Sequence, residues 1–241
     1  MAKKKLERFA EMETFEHVFH AHYEIIKDSD FEMKGKWSSF FGNDNPIIVE
    51  LGCGKGEYTV GLAEKYPENN YIGIDVKGAR IWRGAKETLS KGLKNVAFVR
   101  TRIDFITKIF AENEISEIWV TFPDPQKDKR RKRLTSPMFL ERYKTILKPG
   151  GFVNLKTDSR VMYLYTNNLA KTNGYKMLID TDDLYNTKGI SDDLEIRTFY
   201  EQMFLDEGKN ITYIKFELGS ADVKDAEITE DEIKILADGV I

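Results

Sequence analysis

The chain has few of the residues that staple or interrupt structure. One cysteine, Cys53, in 241 residues excludes an intrachain disulfide. The three histidines, His17, His20 and His22, crowd into six positions. No cysteine or acid pair completes them into a metal-ligand set, so stacked or solvated rings are favoured and no metal is expected. No apolar run approaches the roughly 18 residues of a membrane span. The opening stretch, MAKKKLERFAEMETF, starts basic but has no apolar segment, so no secretory signal is expected and a cytoplasmic location is the default. With no Pro/Gly/Ser-rich linker and no internal repeat, a single domain is favoured.

Hydrophobic residues make up 41% of the chain and charged residues 32%. That composition can bury a core and still solvate a surface, which argues against extensive disorder. Lys and Arg number 37 against 40 Asp and Glu, a balance that by itself indicates no partner. Its distribution says more. Residues 219–241 carry seven acids and two bases, so 35 bases face 33 acids in the rest. An acidic tail masks a mildly basic body.

The body alternates short β-branched runs with helical patterns. Ile47–Leu51 reads as a strand that stops at Gly52-Cys53-Gly54-Lys55-Gly56. Tyr58, Leu62 and Tyr66 follow at helical spacing, and Tyr71–Asp75 is a second strand. This βαβ unit demands a right-handed crossover into a parallel sheet. The alternation continues through a helix at Gly78–Lys91, a strand at Val96–Arg100, a short helix at Asp104–Phe110 and a strand at Ile115–Phe122. Ser136-Pro137 then opens a helix as N-cap and N1. Beyond Pro149-Gly150-Gly151 come a strand at Phe152–Thr157, a helix at Ser159–Thr172, and strands at Tyr175–Asp180 and Ile211–Glu217. The last alternates as an antiparallel edge strand does. The expected class is α/β: a Rossmann-like, doubly wound sheet of seven strands, mostly parallel with an antiparallel seventh. Residues 1–218 form the expected domain. Residues 1–45, lacking clear periodicity, are an extension over the edge of the sheet where ligands bind, and 219–241 are the tail.

The glycine loop sits where the first strand turns into a helix, and glycine there allows positive φ and close approach of a ligand. A dinucleotide fingerprint needs G-x-G-x-x-G; here Glu57 holds the third glycine's place and Gly56 comes one residue early. A carboxylate at that helix N-terminus repels a pyrophosphate. A ligand with a cationic centre and no phosphate fits better, and S-adenosylmethionine is one. Asp75, ending the second strand, can accept from both ribose hydroxyls. Asp104, after the third, can accept from the adenine amino group or cap the next helix, or do both. Cys53 reads as a packing residue rather than a nucleophile.

A second motif follows the fourth strand. Phe122-Pro123-Asp124-Pro125 fixes the backbone on both sides of one acid. Lys127-Asp128-Lys129-Arg130-Arg131-Lys132-Arg133 comes directly after it, six bases in seven residues. A cationic loop beside a ligand cleft suits a phosphate backbone.

With these pieces the sequence resembles the bacterial tRNA (guanine-N7-)-methyltransferases. Leu6–Glu11, the Glu50–Gly56 loop, Gly73-Ile74-Asp75, Phe122–Pro125 with its basic run, Lys156-Thr157-Asp158 and Thr198-Phe199-Tyr200-Glu201 carry the resemblance, which spans nearly the whole body. It implies S-adenosylmethionine as cofactor, contacted by Glu50, Gly52, Gly54, Gly56, Asp75, Asp104 and Asp124. It implies tRNA as partner and substrate, methylated at N7 of a guanosine in the variable loop. Asp124 would be the active-site acid, and Lys127, Lys129, Asp158, Thr198, Phe199, Tyr200 and Glu201 substrate contacts. Two departures stand out. Gln126 replaces a Trp usual after P-D-P, and the loop is about two residues shorter, so the substrate lysine is Lys127 or Lys129. The acidic tail has no counterpart in the pattern, and the oligomeric state, monomer or homodimer, stays open. Rival readings are a methyltransferase of another RNA or a small molecule, a non-catalytic RNA-binding module, and a dinucleotide oxidoreductase.

Overall fold

The computed structural model describes residues 2–227 and 229–238; Met1 and, in the acidic tail, Ile228 and residues 239–241 lie outside them. The chain forms two compact units, Met1–Ser116 and Glu117–Ile241.

In the first unit the order is α1 (Ala2–Met12), β1 (Val18–His20), α2 (Tyr23–Ile26), α3 (Trp37–Phe41), β2 (Ile47–Leu51), α4 (Glu57–Lys65), β3 (Asn70–Asp75), α5 (Gly78–Lys91), β4 (Val96–Arg100) and α6 (Ile106–Ile109). Strands β2, β3 and β4 pair in parallel, with Glu50 opposite Gly73 and Asp75 opposite Arg100. Every residue of β3 is buried, as a strand flanked on both sides and covered on both faces must be. Among the described residues eight strands are present rather than the seven expected. The addition is β1, which pairs in parallel with β4 through His20 opposite Arg100. Three residues are too few for alternation to register; what makes them a strand is the free edge of β4.

Around β1 the N-terminal segment builds its own small core. Trp37 is fully buried. Its indole N–H donates to the Ile109 carbonyl at 3.2 Å, and its ring meets Phe19 edge-on at 5.2 Å. Helix α1 is tied to α5 by Glu11, which accepts from the Trp82 indole at 2.6 Å and from Lys86 at 3.0 Å. His17 is buried, with Nε2 3.1 Å from the Ala85 carbonyl. His20 and His22 stack at 5.7 Å. Among the described residues no His, Cys, Asp or Glu cluster is placed to hold a metal, and no helix is long and apolar enough to cross a membrane.

The second unit runs β5 (Ile115–Thr121), α7 (Pro137–Ile146), β6 (Leu147–Thr157), α8 (Arg160–Thr172), β7 (Lys176–Thr181), α9 (Phe199–Asp206), β8 (Thr212–Glu217) and α10 (Glu230–Asp238). Strand β8 is antiparallel to both β6 and β7, as expected, but it lies between them rather than at the edge, which β7 takes. Ser136 and Pro137 open α7 as N-cap and N1. Extended backbone begins at Leu147, five residues ahead of the predicted strand, because α7 ends there without a loop.

Candidate active site

The glycine loop of the first unit is shaped by backbone bonds to the next strand. Gly52 N–H and Cys53 N–H both donate to the Ile74 carbonyl, at 2.8 and 3.0 Å. Gly52, Gly54 and Gly56 all have positive φ, which L side chains adopt only with strain. Two of them differ instructively. A Cβ on Gly56 would sit 2.7 Å from the Phe98 ring, so this glycine lets the loop pack on β4. A Cβ on Gly52 would meet nothing within 4 Å, so the space before that glycine is open to a ligand.

Two carboxylates flank the loop. Asp75 Oδ2 accepts from Gly54 N–H at 2.9 Å and Oδ1 from Lys77 N–H at 2.7 Å. Each oxygen keeps a further lone pair. Glu50 is buried and accepts from Thr59 N–H at 2.9 Å and from the Thr59 hydroxyl. Thr59 is the third residue of α4, so Glu50 satisfies a helix N-terminus that has no side-chain cap. Burial, then Glu50, then Asp75 push the Cys53 thiol well above its ordinary range. Cys53 is therefore held as a neutral thiol, packed beside the two carboxylates.

Asp104 lies in a 3-10 turn, Ile103–Phe105, held by Arg102 Nη2 at 3.0 Å. A cleft of about 180 Å³ opens beside this turn, lined by Ala21, His22, Tyr23, Val76, Arg100, Thr101, Arg102 and Phe105. Its mixed apolar and polar walls suit a flat heterocycle.

In the second unit Asp124 is exposed on a loop between Phe122 and Gln126, both at φ 46°. Asp124 Oδ1 accepts from Gln126 N–H at 2.9 Å, an Asx turn. Phe122 packs on Phe204 of α9, with centroids 5.9 Å apart, so the Asp124 loop and α9 are neighbours. Phe199 and Tyr200, at the start of α9, are 56% and 37% exposed, which places both rings at the surface. Asp158 follows β6, with a side chain 10% exposed and Lys209 Nζ at 3.7 Å; burial raises its pKa above the usual carboxylate range. Lys127 is partly buried, and Lys129, Arg131 and Lys132 are exposed.

Thr198 and Glu201 build the start of α9. They form a capping box: Thr198 Oγ1 accepts from Glu201 N–H at 3.1 Å, and Glu201 accepts from Thr198 N–H at 3.3 Å. Glu201 is fully buried and pairs with Lys156 Nζ at 2.8 Å, and it also accepts from the Tyr185 hydroxyl. These bonds hold the start of α9, where Phe199 and Tyr200 sit. The T-x-x-E spacing is itself a capping signature. A lysine inside an apolar strand, as in Leu155-Lys156-Thr157, is the local sign of a buried pair.

The fold and the sequence match known proteins. A family model described as "Putative methyltransferase" matches residues 44–214. A solved structure of the 16S rRNA methyltransferase KamB superposes with a TM-score of 0.60 at 12% identity, covering 77% of this chain and 93% of that one, a likeness of fold. The protein is thus an α/β-fold methyltransferase. A tRNA (guanine-N(7)-)-methyltransferase of Christiangramia forsetii is 54% identical over 90% of this chain and 99% of its own length. One of Bacteroides thetaiotaomicron is 51% identical over 96% and 93%. The chain belongs to the tRNA (guanine-N(7)-)-methyltransferase family.

Proposed function

We propose that the protein transfers the methyl group of S-adenosylmethionine to N7 of a guanosine in the variable loop of tRNA. The observation that carries this is the 54% identity, across nine-tenths of the chain, to a relative named for that reaction. The residues present fit the donor: open space before Gly52, and two carboxylates, Asp75 bonded to the loop at Gly54 and Glu50 to the helix that follows it. When bound, S-adenosylmethionine supplies a methyl group made electrophilic by its positive sulfur. Asp75 accepts from the ribose hydroxyls with its remaining lone pairs, and Asp104 accepts from the adenine amino group. Glu50 is a positioning residue that holds α4 and, through it, the loop.

Guanine N7 carries an in-plane lone pair and no proton, so no general base is needed there. The methylated ring becomes cationic. Asp124 accepts from the N1–H and N2–H edge of the base, which orients N7 and stabilises the growing charge. Phe199 and Tyr200 offer exposed faces for stacking. Asp158, held beside Lys209, and Thr198, the N-cap of α9, supply further polar groups to the substrate. Lys127, Lys129, Arg131 and Lys132 contact phosphates. The test is nucleoside analysis of tRNA incubated with the purified protein and S-adenosylmethionine. N7-methylguanosine is the expected product. Its absence from unmodified tRNA, with donor binding demonstrated, overturns the reading.

A further inference from the structure

The acidic C-terminal segment folds back onto the loop that carries Asp124. Glu232 of α10 meets Arg133, Oε1 to Nη1 2.8 Å, with both side chains 1% exposed. The same guanidinium donates from Nε to the Pro125 carbonyl at 3.1 Å, and Pro125 is the residue after Asp124. Nearby, Arg130 Nη2 donates to the Ala226 carbonyl at 2.5 Å. Both guanidinium groups lie 4.7 Å from the Tyr165 ring centroid, and the Tyr165 hydroxyl donates to Asp225 at 3.0 Å. Two cations of the basic run are thereby occupied inside the protein.

A buried Arg–Glu pair is a poor source of net stability, because desolvation offsets most of the attraction; its attested use is to fix one arrangement. The arrangement here needs fixing. Phe122 and Gln126, on either side of the Pro123-Asp124-Pro125 turn, both sit in the left-handed region. Non-glycine residues persist there only when their surroundings over-determine them.

We infer that the tail helix is a positioning device for the reaction. Glu232 holds Arg133, Arg133 holds the Pro125 carbonyl, and Asp124 is kept in one orientation toward the base. Arg130 and Arg133 take no part in RNA contact, which falls to the exposed members of the run. The inference rests on the reading of Asp124 given above.

The experiment uses the full-length protein with tRNA and S-adenosylmethionine. The paired substitution Arg133→Met/Glu232→Leu replaces the ion pair by apolar side chains of similar size and removes the donor to Pro125. The expected result is a Tm near wild type, unchanged donor affinity, and a kcat reduced roughly tenfold or more, with KM for tRNA changed less than about threefold. Lys234→Ala, on the exposed side of α10, is the control expected to match wild type. A folded double variant with wild-type kcat overturns the inference. Should that variant fail to fold, Glu232→Gln with hydrogen–deuterium exchange decides. Faster exchange at the Gln126 and Lys129 amides is expected, and unchanged exchange there sinks the proposal. Failure of the Asp124 reading looks different: Asp124→Asn would keep its rate while the Glu232→Gln loop still exchanged faster.

Discussion

Lys156 and Glu201 meet inside the second unit, Nζ to Oε1 2.8 Å, with neither side chain exposed. The lysine also donates to the Leu194 and Ile196 carbonyls at 2.8 and 3.1 Å. Burial drives its pKa down, and Glu201 opposes that shift. The pair ties β6 to the segment leading into α9. Lys156→Met leaves Glu201 buried without its cation, and a loss of about 3–5 kcal/mol is expected. Chemical denaturation checks it. Lys156→Met/Glu201→Leu is expected to recover only part of that loss: it removes the stranded charge but leaves the Leu194 and Ile196 carbonyls, the Tyr185 hydroxyl and the Thr198 N–H without these partners.

Asp124→Asn keeps the shape of the side chain but removes its charge and one acceptor oxygen. A fall in kcat of roughly tenfold to a thousandfold is expected. Because N7 bears no proton, the wild-type rate is expected to stay level across about pH 6–9, where no base must ionise at the reacting atom. Single-turnover rates over that range check both points. A tenfold rise per pH unit would point to general-base chemistry instead.

The two glycines of the loop separate stability from binding. Gly56→Ala carries backbone strain of about 1–2 kcal/mol and adds a clash with Phe98 at 2.7 Å, so a clear drop in Tm is expected. Gly52→Ala carries similar strain but meets open space. Its Tm is expected to fall less, while affinity for S-adenosylmethionine falls more than the strain explains. Calorimetric melts and donor titrations on both variants distinguish the two roles.

Neutralising Lys129, Arg131 and Lys132 is expected to weaken tRNA binding and flatten its salt dependence. Each lost phosphate contact removes about 0.7–0.9 from the slope of log K against log salt. All three side chains are exposed, so Tm is expected to hold. Filter binding between low and moderate salt measures the slope, and an unchanged slope assigns the contact elsewhere.

His17 sets one limit on acid stability. Burial lowers its pKa below the ordinary 6.5, only partly offset by the Ala85 carbonyl. In the window below 6.5 the unfolded chain binds a proton that the folded chain does not. The contribution of His17 is therefore fully present above about pH 6.5 and is lost as pH falls toward its folded value. His20 shifts the same way and adds to the slope. His17→Gln is expected to make Tm less steep in pH over that window, as thermal melts in a series of buffers would show.

Much of this protein was legible in its residues because strands, helices and turns answer to local chemistry. The periodicity of Gly78–Lys91 and its terminal Gly92 delimit α5 as observed. The glycine spacing argued against a dinucleotide, and Asp75, read from its place at a strand end, accepts from Gly54 N–H of the glycine loop. The prolines around Asp124 marked a constrained turn. By itself, then, the sequence determined the alternating α/β class, the glycine loop and the acid-bearing turn. Only the tertiary structure decided which charges find each other. Glu50 turned to Thr59, Glu201 to Lys156, and Glu232 to Arg133, 99 residues away. Strand β1 exists because β4 has an edge to offer. Periodicity reports a residue's near neighbours, whereas the partner of a buried charge is set by where the chain returns, and no local spacing encodes that.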